Sequence, residues 1–206
     1  HDSKEKGFKT VFSAYAEASI IPEKLKFKTS YNLDFYFFDS RNYSPENYVG
    51  GSQGNATSAL SKTYGYGTYH IIDNTLTYSD TKGAHSFSAM LGQSTRMQYN
   101  ASLTGRANSV PGFDEQSKYL VNGSYKNQTT SDAASRYNGL SFFARGTYNY
   151  KDKYLATVTL RADGSSKYQQ KWGFFPSVGL AWNISDEDFM SSQRVFDFLK
   201  IRASWG

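Results

Sequence analysis

The chain carries three histidines, His1, His70 and His85, and none has a second ligand at metal-binding spacing. His85 precedes Ser86, but a hydrolytic pair needs a third group that orients the imidazole, so this pair reads as the end of a strand. Asp186, Glu187 and Asp188 form a carboxylate cluster that suits the first turn of a helix, where negative charge is favoured. There is no cysteine, which excludes disulfides and thiolate metal sites. The run Gly50-Gly51-Ser52-Gln53-Gly54 does not open a helix and reads as a loop, not a phosphate cradle. No enzyme, metal or cofactor chemistry is expected.

What the residues can support is binding by a polar wall. Lys26, Lys28, Asn32, Asp34, Arg145, Arg161, Asp163 and Asn183 all fall on the wetter side of alternating segments. From there they can steer or hydrogen-bond a polar solute. Tyr43, Tyr48, Tyr119 and Tyr125 fall in polar stretches and can stack on a sugar ring or hold a peptide.

The elements that must position these side chains are strands. The net charge is +5, but Lys and Arg are dispersed among the alternating segments, so nucleic acid is not an expected partner. Mean hydropathy is −0.62, and no run approaches the roughly 20 apolar residues of a membrane helix. Seventeen Tyr and fifteen Phe, both good strand formers, dominate the apolar fraction. From Leu25 the odd positions read Leu25, Phe27, Thr29, Tyr31, Leu33, Phe35, Phe37, and Lys26, Lys28, Ser30, Asn32, Asp34 lie between them. Successive side chains of a strand point to opposite faces, so one face is apolar and the other wet. The split recurs with Leu140, Phe142, Ala144, Tyr148 and Tyr150, with Tyr154, Ala156, Val158 and Leu160, and with Phe174, Val178, Leu180, Trp182 and Ile184. Eight strands are expected, near 8–20, 24–38, 65–79, 84–97, 138–150, 153–163, 173–184 and 199–206.

A soluble β-sandwich also alternates. Three features favour a barrel wall in a membrane. The segments exceed the usual 5–6 residues and approach what a tilted membrane strand needs. Their apolar faces carry no charge, as expected where a midplane Lys or Arg costs roughly 2–4 kcal/mol. The connections also alternate: short ones at 21–24, 79–83 and 151–153, and long polar ones near 39–64 and 98–137, with a middling one at 164–172. The last connection, 185–198, reads as one short helix on the short-turn side, with Ser185 as its cap.

The wording of the chain from Asn149 onward resembles SusC/RagA-type, TonB-linked outer-membrane transporters. The matching segments are N-Y-K-D-K-Y-L at 149–155, R-A-D-G-S-S at 161–166, W-G-F-F-P-S-V-G-L-A-W-N-I-S-D-E-D-F-M at 172–190 and L-K-I-R-A-S-W-G at 199–206. The segment between Ser166 and Trp172 is shorter than usual, and Ala181 stands where Gly is common. The resemblance implies an all-β, antiparallel, up-and-down transmembrane barrel of about 22 strands, of which residues 1–206 are a partial barrel domain without the plug. It implies energy-coupled import of a bulky glycan or peptide across the outer membrane. The implied partners are a TonB-type coupling protein, a SusD-like surface lipoprotein and outer-membrane lipid. The alternatives are a passive porin, a small complete barrel, or a soluble glycan-binding sandwich. No apolar run follows His1-Asp2-Ser3-Lys4, so a mature or truncated product is expected.

Overall fold

The computed structural model describes residues 2–49, 53–192 and 195–206. Gly50, Gly51 and Ser52 of the glycine-rich run lie outside the described residues, while Gln53 and Gly54 belong to a strand. The strands in chain order are β1 (Asp2–Ile21), β2 (Leu25–Ser44), β3 (Asn47–Val49), β4 (Gln53–Asn55), β5 (Ala59–Lys82), β6 (His85–Asn108), β7 (Thr129–Tyr150), β8 (Tyr154–Ser165), β9 (Trp172–Asn183) and β10 (Lys200–Trp205). Eight of them form one antiparallel sheet in the order β1-β2-β5-β6-β7-β8-β9-β10. Each neighbours the next main strand in sequence, which is the up-and-down meander expected. β3 and β4 pair only with each other.

All eight expected strands are present, but five, β1, β2, β5, β6 and β7, are much longer than the alternation suggested. β5 and β6 have 24 residues each, about twice the 9–11 of a tilted membrane strand. The long polar stretches shrink accordingly, because residues 39–44, 59–64, 98–108 and 129–137 are strand. Polar side chains on both faces of these extensions hid the alternation without preventing the ladder. Among the described residues the last connection forms no single helix. It holds two 3-10 turns, Ile184–Asp186 and Asp188–Met190, and neither has a side-chain cap.

The short turns reverse through left-handed backbone. Gly83 has φ 59°, and Lys151 and Asp152 have φ 52° and 57°, the sign pattern of a type I′ hairpin turn. Asp152 is held there from both sides: the Asn149 amide donates to its carboxylate and the Asn183 amide donates to its carbonyl.

The described chain divides into two compact units. One comprises residues 1–12, 33–69 and 98–136, the other residues 13–32, 70–97 and 137–206. The first contains a small buried cluster of Tyr43, Leu60, Ala107 and Val110, with Leu120 packed against it. Tyr43 and Ser58 both donate hydroxyl hydrogen bonds to the Val110 carbonyl.

The second unit is built differently. Its strands β7 to β10 run in a register that places apolar residues opposite one another: Tyr150, Tyr154, Trp182 and Ile201; Tyr148, Ala156, Leu180 and Ala203; Gly146, Val158, Val178 and Trp205. These rows share one face by parity. That face is open: Phe142 is 49% exposed, Leu160 56% and Leu180 57%. A soluble sandwich would cover these side chains with a second sheet. Ile184, read with this face, lies past the end of β9 in the first 3-10 turn and is buried.

Candidate functional site

The opposite face of the second unit carries the polar residues. Cross-strand pairing aligns Phe143, Arg161 and Phe175 in one row and Ser141, Asp163 and Gly173 in the next. Arg161 and Asp163 are two residues apart on one strand, so parity puts both on this face. The Arg161 Nε donates to both Asp163 oxygens at 2.8 Å, and its guanidinium lies 5.9 Å from the Phe143 ring centroid. Ser141, beneath the pair, is buried.

Here a cavity of about 470 Å³ opens, bounded by β6, β7, β8 and β9 and by the connection from Ser166 to Lys171. Its rim is tied down by main-chain bonds: Ser165 N–H to Lys171 O at 2.9 Å and Ser166 N–H to Asn138 O at 2.9 Å. Arg96 and Lys171 add positive charge to the lining, and Tyr168 and Phe175 add ring faces. Sequence reading named Arg161 and Asp163 but missed the others. Arg96 belongs to β6, and nothing in its local sequence says it meets β8. Tyr168 and Trp172 lie in or beside a connection whose path only the fold defines.

The remaining wall residues are spread along the polar face, and several already have partners from β1. Within the second unit, Lys26 pairs with Glu17 at 3.9 Å, the Lys28 Nζ sits 4.8 Å over the Tyr15 ring, and Asn32 accepts from the Ser13 hydroxyl. Within the first, Asp34 pairs with Lys9 at 3.0 Å. Arg145 stands opposite Thr159 and is exposed. Asn183 is occupied in clamping the Lys151–Asp152 turn. Tyr43 requires a correction: it belongs to β2, not a loop, and at 6% exposure its ring fills the first unit's core, so it presents no face to a solute. Tyr48, Tyr119 and Tyr125 are exposed, with the Lys62 Nζ 4.1 Å over the Tyr119 ring.

The carboxylate cluster resolves into one anchoring residue. Glu187 accepts from the Tyr154 hydroxyl at 2.6 Å, the Trp182 indole N–H at 3.0 Å and the Lys153 ammonium at 3.1 Å. Tyr154 and Trp182 stack 6.3 Å apart with an interplanar angle of 11°, and Tyr150 stacks on Tyr154. The Tyr154 hydrogen bond, then those from Trp182 and Lys153, lower the Glu187 pKa from 4.5 to about 2. Aromatic side chains in this belt, each with a polar tip, are what a membrane–water boundary selects.

Comparison with known proteins gives a consistent result. Residues 9–206 match the family model described as TonB dependent receptor-like, beta-barrel. A TonB-dependent receptor of Formosa agariphila is 35% identical over 166 residues, which is 76% of this chain and 16% of that protein. The TonB-dependent receptor SusC of Bacteroides thetaiotaomicron is 33% identical over 132 residues, 63% of this chain and 12% of that protein. The chain thus spans less than a fifth of the length of these relatives. Among solved structures, the RagAB peptide transporter aligns over 98% of this chain and 22% of its own, with a TM-score of 0.86 at 16% identity.

Proposed function

We propose an import role from one premise: the chain belongs to the TonB-dependent receptor-like β-barrel family. In this reading residues 1–206 form part of the wall of a SusC/RagA-type barrel in the outer membrane. The parent protein takes up a bulky glycan or peptide, drawing energy from a TonB-type partner and receiving cargo through a SusD-like lipoprotein. One observation carries the membrane part of the reading. The in-register, uncharged face of β7 to β10 is exposed along four strands, and such a continuous charge-free face suits contact with lipid. The opposite face, with Arg161, Asp163 and Arg145, then lines the lumen.

The test is uptake by the parent organism with and without its energy-coupling protein. Import should fall to background when the coupling protein is removed, because a plugged barrel passes no bulky solute by diffusion. Uptake that continues at full rate without the coupling protein would make this a passive porin.

A further inference from the structure

The lining of the cavity around Arg161 has a charge imbalance that the wall as a whole does not explain. Among the described residues that line it, Arg96, Arg161 and Lys171 are cationic and Asp163 alone is a carboxylate. Asp163 is engaged by Arg161 through both oxygens. Arg96 also acts on Asp163 through space, yet one carboxylate shared among three cations leaves the lining with an excess of positive charge. Arg96 is half-buried, and its Nε is enclosed without a hydrogen-bond partner among the described residues. An enclosed guanidinium donor left unpaired is costly, and an anion entering the cavity would relieve that cost. A further cation stands at the edge, where the Lys167 Nζ lies 5.4 Å over the Tyr137 ring.

The other lining groups narrow the class of anion. Tyr168 is 71% exposed and Phe175 56%, so ring faces are available to the apolar faces of pyranose rings. The Gln170 amide supplies a donor and an acceptor suited to hydroxyl groups. The stretches of β7 and β8 behind the cavity are paired on both sides, so neither offers a free edge for main-chain pairing to an extended peptide. We propose that this cavity, resting on the import role above, is a subsite for a carboxylate-bearing oligosaccharide, with Arg96 holding the carboxylate and Tyr168 and Phe175 stacking on the sugar.

The experiment uses the full-length parent transporter, purified in detergent, with its heat-modifiable mobility on gels as the folding control. Three probes are titrated: an oligomer of galacturonic acid, its fully methyl-esterified neutral counterpart, and an acidic peptide of equal charge. The uronate oligomer should bind, the ester should bind about tenfold or more weakly, and Arg96→Gln should remove that preference, as expected for loss of a charge-assisted bond. Lys171→Gln, an exposed change, should lower uronate affinity several-fold and serves where Arg96→Gln fails to assemble. Equal binding of uronate and ester in the wild type would overturn the proposal. Acidic peptide binding that depends on Arg96 would also overturn it, in favour of a peptide site. Coupling-dependent uptake is measured in the same strains. If it persists while no uronate preference is found, the subsite fails and the import role stands.

Discussion

The two units solve the same problem, hiding apolar side chains, in opposite ways. In the first, Leu60, Ala107 and Val110 are almost fully covered, and an ion-pair cluster holds the 109–128 connection onto strand residues. Glu115 pairs with Lys4 and Arg41 at 2.8 Å and with Lys118 at 3.4 Å, while Asp2 pairs with Arg41 and Lys118. In the second, Phe142, Leu160 and Leu180 stay open, and no charge interrupts their face. On the import reading proposed above, the difference is one of solvent: water drives a core together in the first unit, whereas lipid takes up the apolar face of the second as it stands.

Substitutions can break this contrast. Leu60→Ala, at a site only 1% exposed, should cost about 2–5 kcal/mol of local stability through the cavity it leaves. Limited proteolysis should then cut the 109–128 connection faster, while the heat-modifiable band of the assembled parent remains. Loss of that band would mean the first unit's core is needed for the wall itself.

Val158→Arg should cost roughly 2–4 kcal/mol by placing charge in the lipid-facing row, and outer-membrane fractions should contain little assembled protein. Thr159→Arg, one residue away on the opposite face, should assemble normally. Equal yields of the two variants would end the lipid-facing assignment.

A smaller effect is expected at Glu187. Its pKa is held at about 2 against an ordinary 4.5, so its contribution is present above about pH 4.5 and fades as pH falls toward 2. Tryptophan emission of the parent should shift across that window, and Glu187→Gln should abolish the shift. Glu115, also held at about 2 by Arg41 and Lys4, should release the 109–128 connection to protease over the same acid range. The smallest effect concerns sidedness. Protease added to intact cells should nick within 109–128 and spare Lys151-Asp152-Lys153. The reverse pattern would invert the topology.

Strand identity and face were legible because they are local properties. Alternation along Tyr154–Leu160 or Leu25–Phe37 states which side chains share a face wherever the strand pairs. The ends of β5 and β6 were not legible, because polar residues on both faces erase the period while the backbone ladder continues. Tyr43 was misread for the same reason: a tyrosine in a polar stretch looks like a loop residue until Leu60 and Val110 close over it. The 185–198 helix failed because Glu187 serves other partners, capping no helix but receiving three donors from Lys153, Tyr154 and Trp182.

The amino-acid sequence alone therefore determined the all-β class, the short turns at Glu23, Gly83 and Lys151–Asp152, and the two-faced character of the wall, since parity and turn chemistry need no knowledge of neighbours. Only the tertiary structure decided register, and register decides which residues meet. It set Val158 beside Val178 and brought Arg96 from β6 to the cavity of Arg161, Asp163 and Trp172 on β8 and β9. Such pairings join residues far apart in the chain, and a one-residue slip would undo them all.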